Sequence, residues 1–250
     1  MGKLAMMLVA ASLAVLAAPN ARPDPLQAAA ANDKMEAAKM AEESGDLARI
    51  HKDYGLAISS YQAALRLNRH NAVLYDKIGV VHLLEGQRGA ARKNYLQAIR
   101  YTPTYVAAIN NLGVVALLDK KYKIAVNFFK QALALEESNA PIHVNLAEAW
   151  VGLELIDRAM TEYARALELD ADVLNSSTEG LLAQLSTPEQ YARVSYIIAK
   201  MYMKRGNIDG ALEYLRRAKE ENYSEINKVY TDPDFTALWQ DPRLAKIVKR

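Results

Sequence analysis

Two asparagines are the residues of this chain best suited to bind another polypeptide. Asn111 and Asn145 lie 34 residues apart, in the similar runs Asn111-Leu112-Gly113 and Asn145-Leu146-Ala147. A primary amide both donates and accepts hydrogen bonds, so it can pair with the backbone of an extended peptide whatever that peptide's side chains are. Alternatively, the two amides only cap or hydrate the helix that carries them. The sequence leaves both interpretations open.

No pattern typical of catalysis or metal binding accompanies these amides. The four histidines have no partner at metal-ligand spacing, and the absence of cysteine excludes disulfides and thiol chemistry. There is also no glycine-rich phosphate loop and no Gly-x-Ser-x-Gly sequence. His82 and His143 fall at positions where packing residues are expected. We therefore predict that the protein is not an enzyme and takes no cofactor and no metal.

The asparagines belong to a repeat with a period of 34 residues. Four alanines mark it, and each is followed four residues later by an aromatic residue and seven residues later by a second alanine. The triplets are Ala57, Tyr61 and Ala64; Ala91, Tyr95 and Ala98; Ala125, Phe129 and Ala132; and Ala159, Tyr163 and Ala166. These offsets lie on one face of a helix. The fixed period predicts a stack of identical two-helix units.

Each unit carries a small residue at its eighth position, which lies in the first helix. A short turn separates the first helix from the second. The small residues are Gly45, Gly79, Gly113 and Ala147, and the turns are predicted at 52–53, 86–87, 120–121 and 154–155. This pattern, with Pro103 near the end of the second unit, resembles the tetratricopeptide repeat family. The resemblance implies an all-α fold, a right-handed α-solenoid of tandem two-helix units. A generic helical bundle is the alternative.

The units and the ends divide the chain as follows. Repeat units are predicted at 38–71, 72–105, 106–139 and 140–173, then an insert at 174–191 and a fifth unit at 192–225, in which Ala211, Leu215 and Ala218 repeat the second-helix face. The insert either lengthens a connection, which we favour, or bends the solenoid or adds to a partner site. Two Asp-Pro pairs, at 232–233 and 241–242, predict short capping helices within 226–250.

The resemblance also implies where a partner binds, because the first helices of this family line the inner, concave face of the solenoid. The predicted partner-binding residues are Asp76, Lys77, Val80, Asn110, Asn111, Val114, Leu117, Val144, Asn145, Glu148 and Lys200. Acidic residues of the first unit (Glu42, Glu43 and Asp46) and basic residues of the fifth (Arg193, Lys200 and Lys204) predict a field along this groove that favours one orientation of a bound segment. The carboxylate clamp of co-chaperone relatives matches only at Asn111.

The N-terminal residues have the character of a secretory signal. Lys3 is followed by an uncharged apolar run from Leu4 to Ala18 and then by Pro19-Asn20. A run of this length is short for a membrane span and fits a cleaved signal within residues 1–21. The alternatives are an uncleaved N-terminal anchor and a cytoplasmic protein with an apolar start. Residues 22–37 are predicted to be a linker.

The composition is consistent with one elongated helical domain. The 250 residues are 51% hydrophobic, and 31 Lys and Arg against 29 Asp and Glu leave a net charge of +2, which does not suggest nucleic-acid binding. We predict an exported, periplasmic or secreted scaffold or assembly factor that binds an unidentified peptide segment or protein. Membrane contact is expected only if the N-terminus is an uncleaved anchor. Alternatives are a self-associating homo-oligomer and, less favoured, an accessory subunit of an envelope enzyme or secretion complex.

Export can be tested by intact mass. Protein recovered from an expressing Gram-negative cell is expected in the periplasm and about 17 to 21 residues shorter than the full chain, since candidate cleavage sites follow Ala17 and Ala21. A full-length soluble protein in the cytoplasm would contradict export. A full-length protein in the membrane fraction would instead identify the anchor.

Overall fold

The computed structural model describes residues 25–174 and 187–249, and this part of the chain is built from helices and turns without a strand. Ten helices follow one another as pairs: α1 (Pro25–Ile50), α2 (Tyr54–Leu67), α3 (Ala72–Leu84), α4 (Arg88–Tyr101), α5 (Val106–Leu118), α6 (Tyr122–Leu135), α7 (Ala140–Gly152), α8 (Ile156–Leu169), α9 (Pro188–Lys204) and α10 (Ile208–Glu220). The predicted signal at residues 1–21 and residues 175–186 of the predicted insert lie outside the described residues. Each helix packs mainly on its pair partner and on the next pair, which is the all-α solenoid.

Contact between a glycine and an aromatic ring brings the two helices of a pair together. A Cβ atom at Gly79 would lie 2.5 Å from the ring of Tyr95, and one at Gly113 would lie closer than 3.0 Å to the ring of Phe129. Gly45 meets Tyr61 in the same way. The rings are completely buried. Because the glycine has no side chain, the ring lies directly against the backbone of the first helix, and the helix axes approach closely.

The turn between the helices of a pair has the same backbone in every pair. One residue takes a positive φ, and these residues are Lys52, Gly86, Lys120, Glu154 and Gly206. Two backbone hydrogen bonds close the turn: in the second pair Gly86 N donates to Leu83 O at 2.9 Å and Gln87 N donates to His82 O at 2.8 Å. A left-handed residue other than glycine costs about 1–2 kcal/mol. These bonds offset that cost at the lysines and the glutamate.

The linker predicted at 22–37 is wrong for the part that the structure describes. Residues 25–37 form the first half of α1, a helix of 26 residues. The segment is rich in alanine and has no glycine or proline after Pro25. Alanine has the highest helix propensity, and proline is tolerated in the first turn, so the segment continues the helix of the first unit. None of the described helices combines the length and the apolar character needed to cross a membrane.

The C-terminal end of the solenoid is covered by two 3-10 helices, η1 (Ile226–Tyr230) and η2 (Pro233–Leu238), and by α11 (Pro242–Ile247). The predicted caps form: Asp232 accepts a hydrogen bond from Asp234 N at 3.1 Å, and Asp241 accepts one from Arg243 N at 2.9 Å. Phe235, Leu238, Leu244 and Val248 are buried. They join the hydrophobic core that extends through units two to five. The last helix pair therefore does not expose its apolar side to water.

Replacing Gly113 by leucine should test the close approach of the helices. The new side chain would overlap the buried ring of Phe129, so we expect a loss of about 1–3 kcal/mol in the free energy of unfolding. A Cβ atom at Gly89, in α4, would meet no other atom within 4 Å. Leucine at Gly89 is therefore the matched control and should be neutral or stabilise by up to about 1 kcal/mol. Equal urea midpoints for the two variants would show that the close approach of α5 and α6 does not depend on Gly113.

Candidate functional site

The inner face of the solenoid contains a cleft with a volume of about 600 Å³ between the first and fourth units. The first helices α1, α3, α5 and α7 form it together with the connections that precede α5 and α7. Four predicted site residues line it: Lys77, Val80, Asn110 and Asn111. The other lining residues are Asp46, Arg49, Thr104, Tyr105, Val106, Ala107, Glu136, Asn139, Pro141 and Ile142. Polar groups, both signs of charge and aliphatic surface are thus combined in one recess.

A chain of hydrogen-bonded side chains crosses three units at the base of this face. Asn145 Nδ2 donates to Asn110 Oδ1 at 2.9 Å, Asn110 Nδ2 donates to Asn111 Oδ1 at 3.3 Å, and Asn111 Nδ2 donates to Asp76 Oδ1 at 2.9 Å. We call these four residues the amide relay. Asn111, Asn145 and Asp76 are buried, whereas Asn110 is half-buried. Neither asparagine anticipated as a peptide ligand caps a helix, and each bonds to a neighbouring unit.

The carboxyl group of Asp76 is the buried end of the amide relay. Burial raises the pKa of Asp76 to about 6, although the hydrogen bond from Asn111 and the nearby charge of Lys77 oppose the rise. Only 7% of the residue is exposed. A carboxylate in such surroundings loses much of its hydration, and the single amide donor replaces only part of it. Asp76 therefore carries its charge at a cost in stability above about pH 6.

The acidic residues at the first unit do not form an open acidic patch. Lys77 Nζ lies 2.6 Å from Glu42 Oε1 and 2.7 Å from Asp46 Oδ2. Burial lowers the pKa of Lys77, but its hydrogen bonds to the two carboxylates outweigh that effect and raise it. Tyr61 also donates its hydroxyl to Asp46 Oδ1 at 2.8 Å. These residues join α1, α2 and α3, so Glu42 and Asp46 are engaged by groups of the protein itself, although the single positive charge of Lys77 does not neutralise both carboxylates.

The basic residues at the fifth unit are paired in a similar way. Lys200 Nζ lies 2.8 Å from Asp232 and 3.1 Å from Asp234 of the C-terminal cap. Lys204 pairs with Asp157 at 2.6 Å. Arg193 is exposed and has no ion pair among the described residues. The sequence predicted unpaired acidic residues at one end of the groove and unpaired basic residues at the other. This prediction is wrong for the paired residues, because the fold places a residue of opposite charge next to each of them.

The apolar residues expected to line the groove divide into two groups. Val114 is completely buried, so its prediction as a contact residue is wrong for the protein in this conformation. It belongs to the hydrophobic core that extends through units two to five. Leu117 and Val144 are half-buried, like Val80. Only these three of the predicted aliphatic residues keep surface that a bound segment could contact, and Val80 alone of them lines the cleft.

A pairing between the aromatic residue of the second helix and the residue at position nine of the repeat unit was missed from the sequence. Tyr163 donates its hydroxyl to Glu148 at 2.7 Å, as Tyr61 does to Asp46. Burial raises the pKa of Glu148. In the second unit Val80 stands at that position, and the hydroxyl of Tyr95 is buried without a partner among the described residues. The signal was present in the sequence, since an acidic residue accompanies tyrosine in units one and four.

His82 and His143 have structural contacts. His143 Nδ1 lies 2.7 Å from Glu162 Oε2, and its Nε2 lies 3.0 Å from the backbone oxygen of Glu137, which ties α7 to α8 and to the end of α6. His82 bonds to Gln87 across the turn of its own unit at 2.8 Å. Residues 25–174 and 187–249 contain no group of three or more His, Cys, Asp or Glu side chains that could hold a metal ion.

Two segments of this chain match models of the tetratricopeptide repeat. A family model with the description tetratricopeptide repeat matches residues 116–185, and a second model with the same description matches residues 192–224. The first match covers α6, α7 and α8, and the second covers the helix pair α9 and α10. The matched repeats include the fifth pair, which is out of register with the others.

Curated relatives share the repeat over part of their length. Anaphase-promoting complex subunit 6 of Arabidopsis thaliana is 35% identical over 127 residues, which are 48% of this chain and 23% of that protein. Anaphase-promoting complex subunit cut9 of Schizosaccharomyces pombe is 28% identical over 184 residues, 69% and 27% of the two chains. BBSome complex member BBS4 of Xenopus tropicalis is 29% identical over 115 residues, 46% and 22%. The chain spans about a quarter of these relatives' length.

Solved structures share the fold at low identity. A structure from the functional characterisation of Pseudomonas aeruginosa pilF has a TM-score of 0.60 and 17% identity and covers 83% of this chain and 90% of its own. MamA protein has a TM-score of 0.52 and 19% identity, with coverage of 79% and 96%. YrrB, described as a TPR protein with an unusual peptide-binding site, has a TM-score of 0.53 and 18% identity, with coverage of 84% and 99%. These similarities establish the solenoid.

The substitution Asp76→Asn should show the cost of the buried carboxylate. The folded pKa of about 6 exceeds the unfolded value of about 4, so the folded state binds more protons between these pH values. Proton binding at Asp76 therefore stabilises the folded state at low pH, and this stabilisation is lost as the pH rises from 4 to above 6. Asparagine keeps an oxygen for Asn111. We therefore expect the stability of the variant relative to the natural chain to rise by about 2 kcal/mol between pH 4.5 and pH 7.5.

Urea unfolding of both proteins at the two pH values measures this difference. Asp33→Asn, which removes an exposed carboxylate from α1, gives the background effect of losing one negative charge. A gain for Asp76→Asn that is the same at both pH values, or no larger than the change for Asp33→Asn, would contradict a raised pKa at Asp76.

Proposed function

The chain is a tetratricopeptide repeat protein, and we propose that it is a non-enzymatic scaffold that binds an extended segment of a partner protein in the cleft of its inner face. The observation that carries the proposal is the cleft itself, a recess of about 600 Å³ to which four consecutive first helices contribute side chains. Such a recess is long enough for several residues of an extended chain and presents donors, acceptors and aliphatic contacts together.

The amide relay gives this surface a fixed shape. Asn110 is half-buried, lines the cleft and is held by hydrogen bonds to Asn111 and Asn145. Lys77 is fixed by two carboxylates. Side chains that are already held in place lose little conformational freedom when a ligand binds, so the binding energy is not spent on ordering them. A prearranged polar face supports recognition of a backbone more than recognition of one particular side chain.

The comparisons support the class of function and not a particular partner. The curated relatives are a subunit or member of the anaphase-promoting complex and of the BBSome, and YrrB is described as having a peptide-binding site. By analogy we propose that this chain also acts by joining proteins. We further propose, from the N-terminal sequence alone, that it meets its partner after export.

A bulky residue in the cleft provides the sharpest test of this site. Ala107 lines the cleft and is half-buried, and it takes no part in the amide relay. Replacing Ala107 by tryptophan should fill the recess without breaking the hydrogen bonds that join the units. Replacing Asn111 or Asn145 would be a poorer test, because those amides bond to neighbouring units and their loss would also disturb the fold.

We expect Ala107→Trp to weaken partner binding by at least about tenfold, which corresponds to about 1.4 kcal/mol or more. The matched control is Ala134→Trp, since Ala134 lies on the second helix α6, away from the cleft lining. That variant should bind within about threefold of the natural chain. A crosslinking pull-down from the native compartment supplies the partner, and calorimetric titration of the variants gives the affinities. Weaker binding by Ala134→Trp alone would place the partner on the outer face.

A further inference from the structure

The second helices of the first three units contain no acidic residue. Helices α2, α4 and α6 together carry seven Lys and Arg residues and neither Asp nor Glu. The second helices of the last two units, α8 and α10, carry five basic and six acidic residues. The whole chain has a net charge of only +2. The excess of positive charge therefore belongs to one part of the solenoid and is not a property of the whole chain.

The cations of α4 and α6 include four that lie on the outer side of the solenoid. The buried face of each second helix carries the repeated triplet of alanine, aromatic residue and alanine. The opposite face carries Lys93 and Arg100 on α4 and Lys123 and Lys130 on α6, and we call these four residues the outer basic face. All four are exposed, and none has an ion pair among the described residues. Lys130 lies 5.3 Å from the ring centroid of Trp150, a contact that leaves its positive charge in place.

One acidic residue lies between α4 and α6, and three cations share it. Asp119 lies 3.4 Å from Arg88 and 3.6 Å from Lys121, and Arg92 donates a hydrogen bond to it. Burial raises the pKa of Asp119, but the hydrogen bond from Arg92 and the nearby cations outweigh that effect and lower it. The charge between the two helices is therefore also positive, and Asp119 does not offset the outer basic face.

Exposed aliphatic side chains accompany these cations. Leu96 is 51% exposed and lies between Lys93 and Arg100 on one face of α4, since residues three and four positions apart are neighbours on a helix. Ile124, next to Lys123, is 48% exposed. A bilayer with anionic headgroups accommodates both kinds of side chain, because cations meet the phosphates while aliphatic groups reach the edge of the acyl region. A nucleic acid backbone would satisfy only the cations.

From these observations we propose that the outer basic face binds the anionic surface of a lipid bilayer. The contact is peripheral and uses side chains of two neighbouring second helices. The cleft is formed by the first helices, so it stays open to a partner while the protein lies on the membrane. Because the two sites share no residue, the membrane contact stands or falls independently of the proposed partner binding.

Flotation of the full chain with lipid vesicles tests the proposal. Vesicles of equal amounts of phosphatidylglycerol and phosphatidylcholine should bind the protein at least about tenfold more tightly than vesicles of phosphatidylcholine alone. Binding to the anionic vesicles should fall in about 1 M salt, where the Debye length is about 3 Å. Contact through the apolar N-terminal run would be similar on both kinds of vesicle. Equal affinity for the two kinds, or binding to neither, would overturn the proposal.

Two pairs of substitutions locate the contact. Lys93→Gln with Lys123→Gln should weaken binding to the anionic vesicles by at least about tenfold, since each basic residue near such a surface contributes about fivefold. The matched control is Lys219→Gln with Lys246→Gln, which removes the same charge from exposed residues at the capped end. The control pair should bind within about threefold of the natural chain. An equal loss for the two pairs would show attraction by net charge alone and would exclude the outer basic face as the site.

Competition with duplex DNA of mixed sequence distinguishes a bilayer from a nucleic acid. DNA added at the same phosphate concentration as the vesicles should leave most of the protein on the vesicles. Leu96→Gln should weaken binding to the vesicles by about threefold or more, because the polar side chain gains less on leaving water. Transfer of the protein to the DNA, or an unchanged affinity of Leu96→Gln for the vesicles, would contradict a bilayer as the occupant of this face.

Discussion

The contact of an aromatic ring with a glycine on the paired helix is the constraint on which the structure depends. Tyr61, Tyr95 and Phe129 each lie against the backbone at Gly45, Gly79 and Gly113, where even a methyl group would overlap the ring. This contact sets the distance between the helices of a pair. Because it recurs every 34 residues in the first three pairs, with Ala147 in place of glycine in the fourth, these pairs present similar surfaces to one another and stack in register. The first helices consequently align on one side, where the cleft forms.

Alignment of the first helices brings together polar residues that are about 35 positions apart in the chain. Asn145 bonds to Asn110 and Asn111 bonds to Asp76, in each case across neighbouring units. Lys77 meets Glu42 and Asp46 in the same way. These contacts oppose sliding of one unit past the next, since a shift would leave buried polar groups without partners. The groups that shape the cleft are therefore also groups that hold the units together.

The two ends of the solenoid differ in how they meet water. At the C-terminal end, Phe235, Leu238 and Leu244 complete the core, and acidic residues of the cap pair with Lys200. At the other end, α1 begins well before its own unit and exposes Met40, Leu47 and Ile50. A stack of units has a self-limiting length only if each end is covered. Among the described residues, the cap does this at the C-terminal end.

The sequence by itself determined the helices, their pairing and the solenoid. Helical packing residues lie three, four or seven positions apart, so a pattern such as Ala125, Phe129 and Ala132 is read directly along the chain. The turns and the Asp-Pro caps likewise depend on residues that are adjacent in the chain. The linker prediction failed because residues 25–37 form a helix from local propensity, and the exposed residues 29–37 carry no repeat pattern that would mark them as helical.

Only the tertiary structure decided which of the candidate residues remain available to a partner. The repeat placed Asn111, Val114 and Lys200 on the first helices, but their burial and partners depend on residues from other units or from the cap. Asn111 bonds to Asp76, Val114 is enclosed by the core, and Lys200 is paired with the cap. Side-chain charge and amide groups act over a few ångströms, and such proximity arises only after the helix pairs have stacked. The sequence therefore determined which residues lie on the first helices, and only the fold decided which of their side chains remain available to a partner.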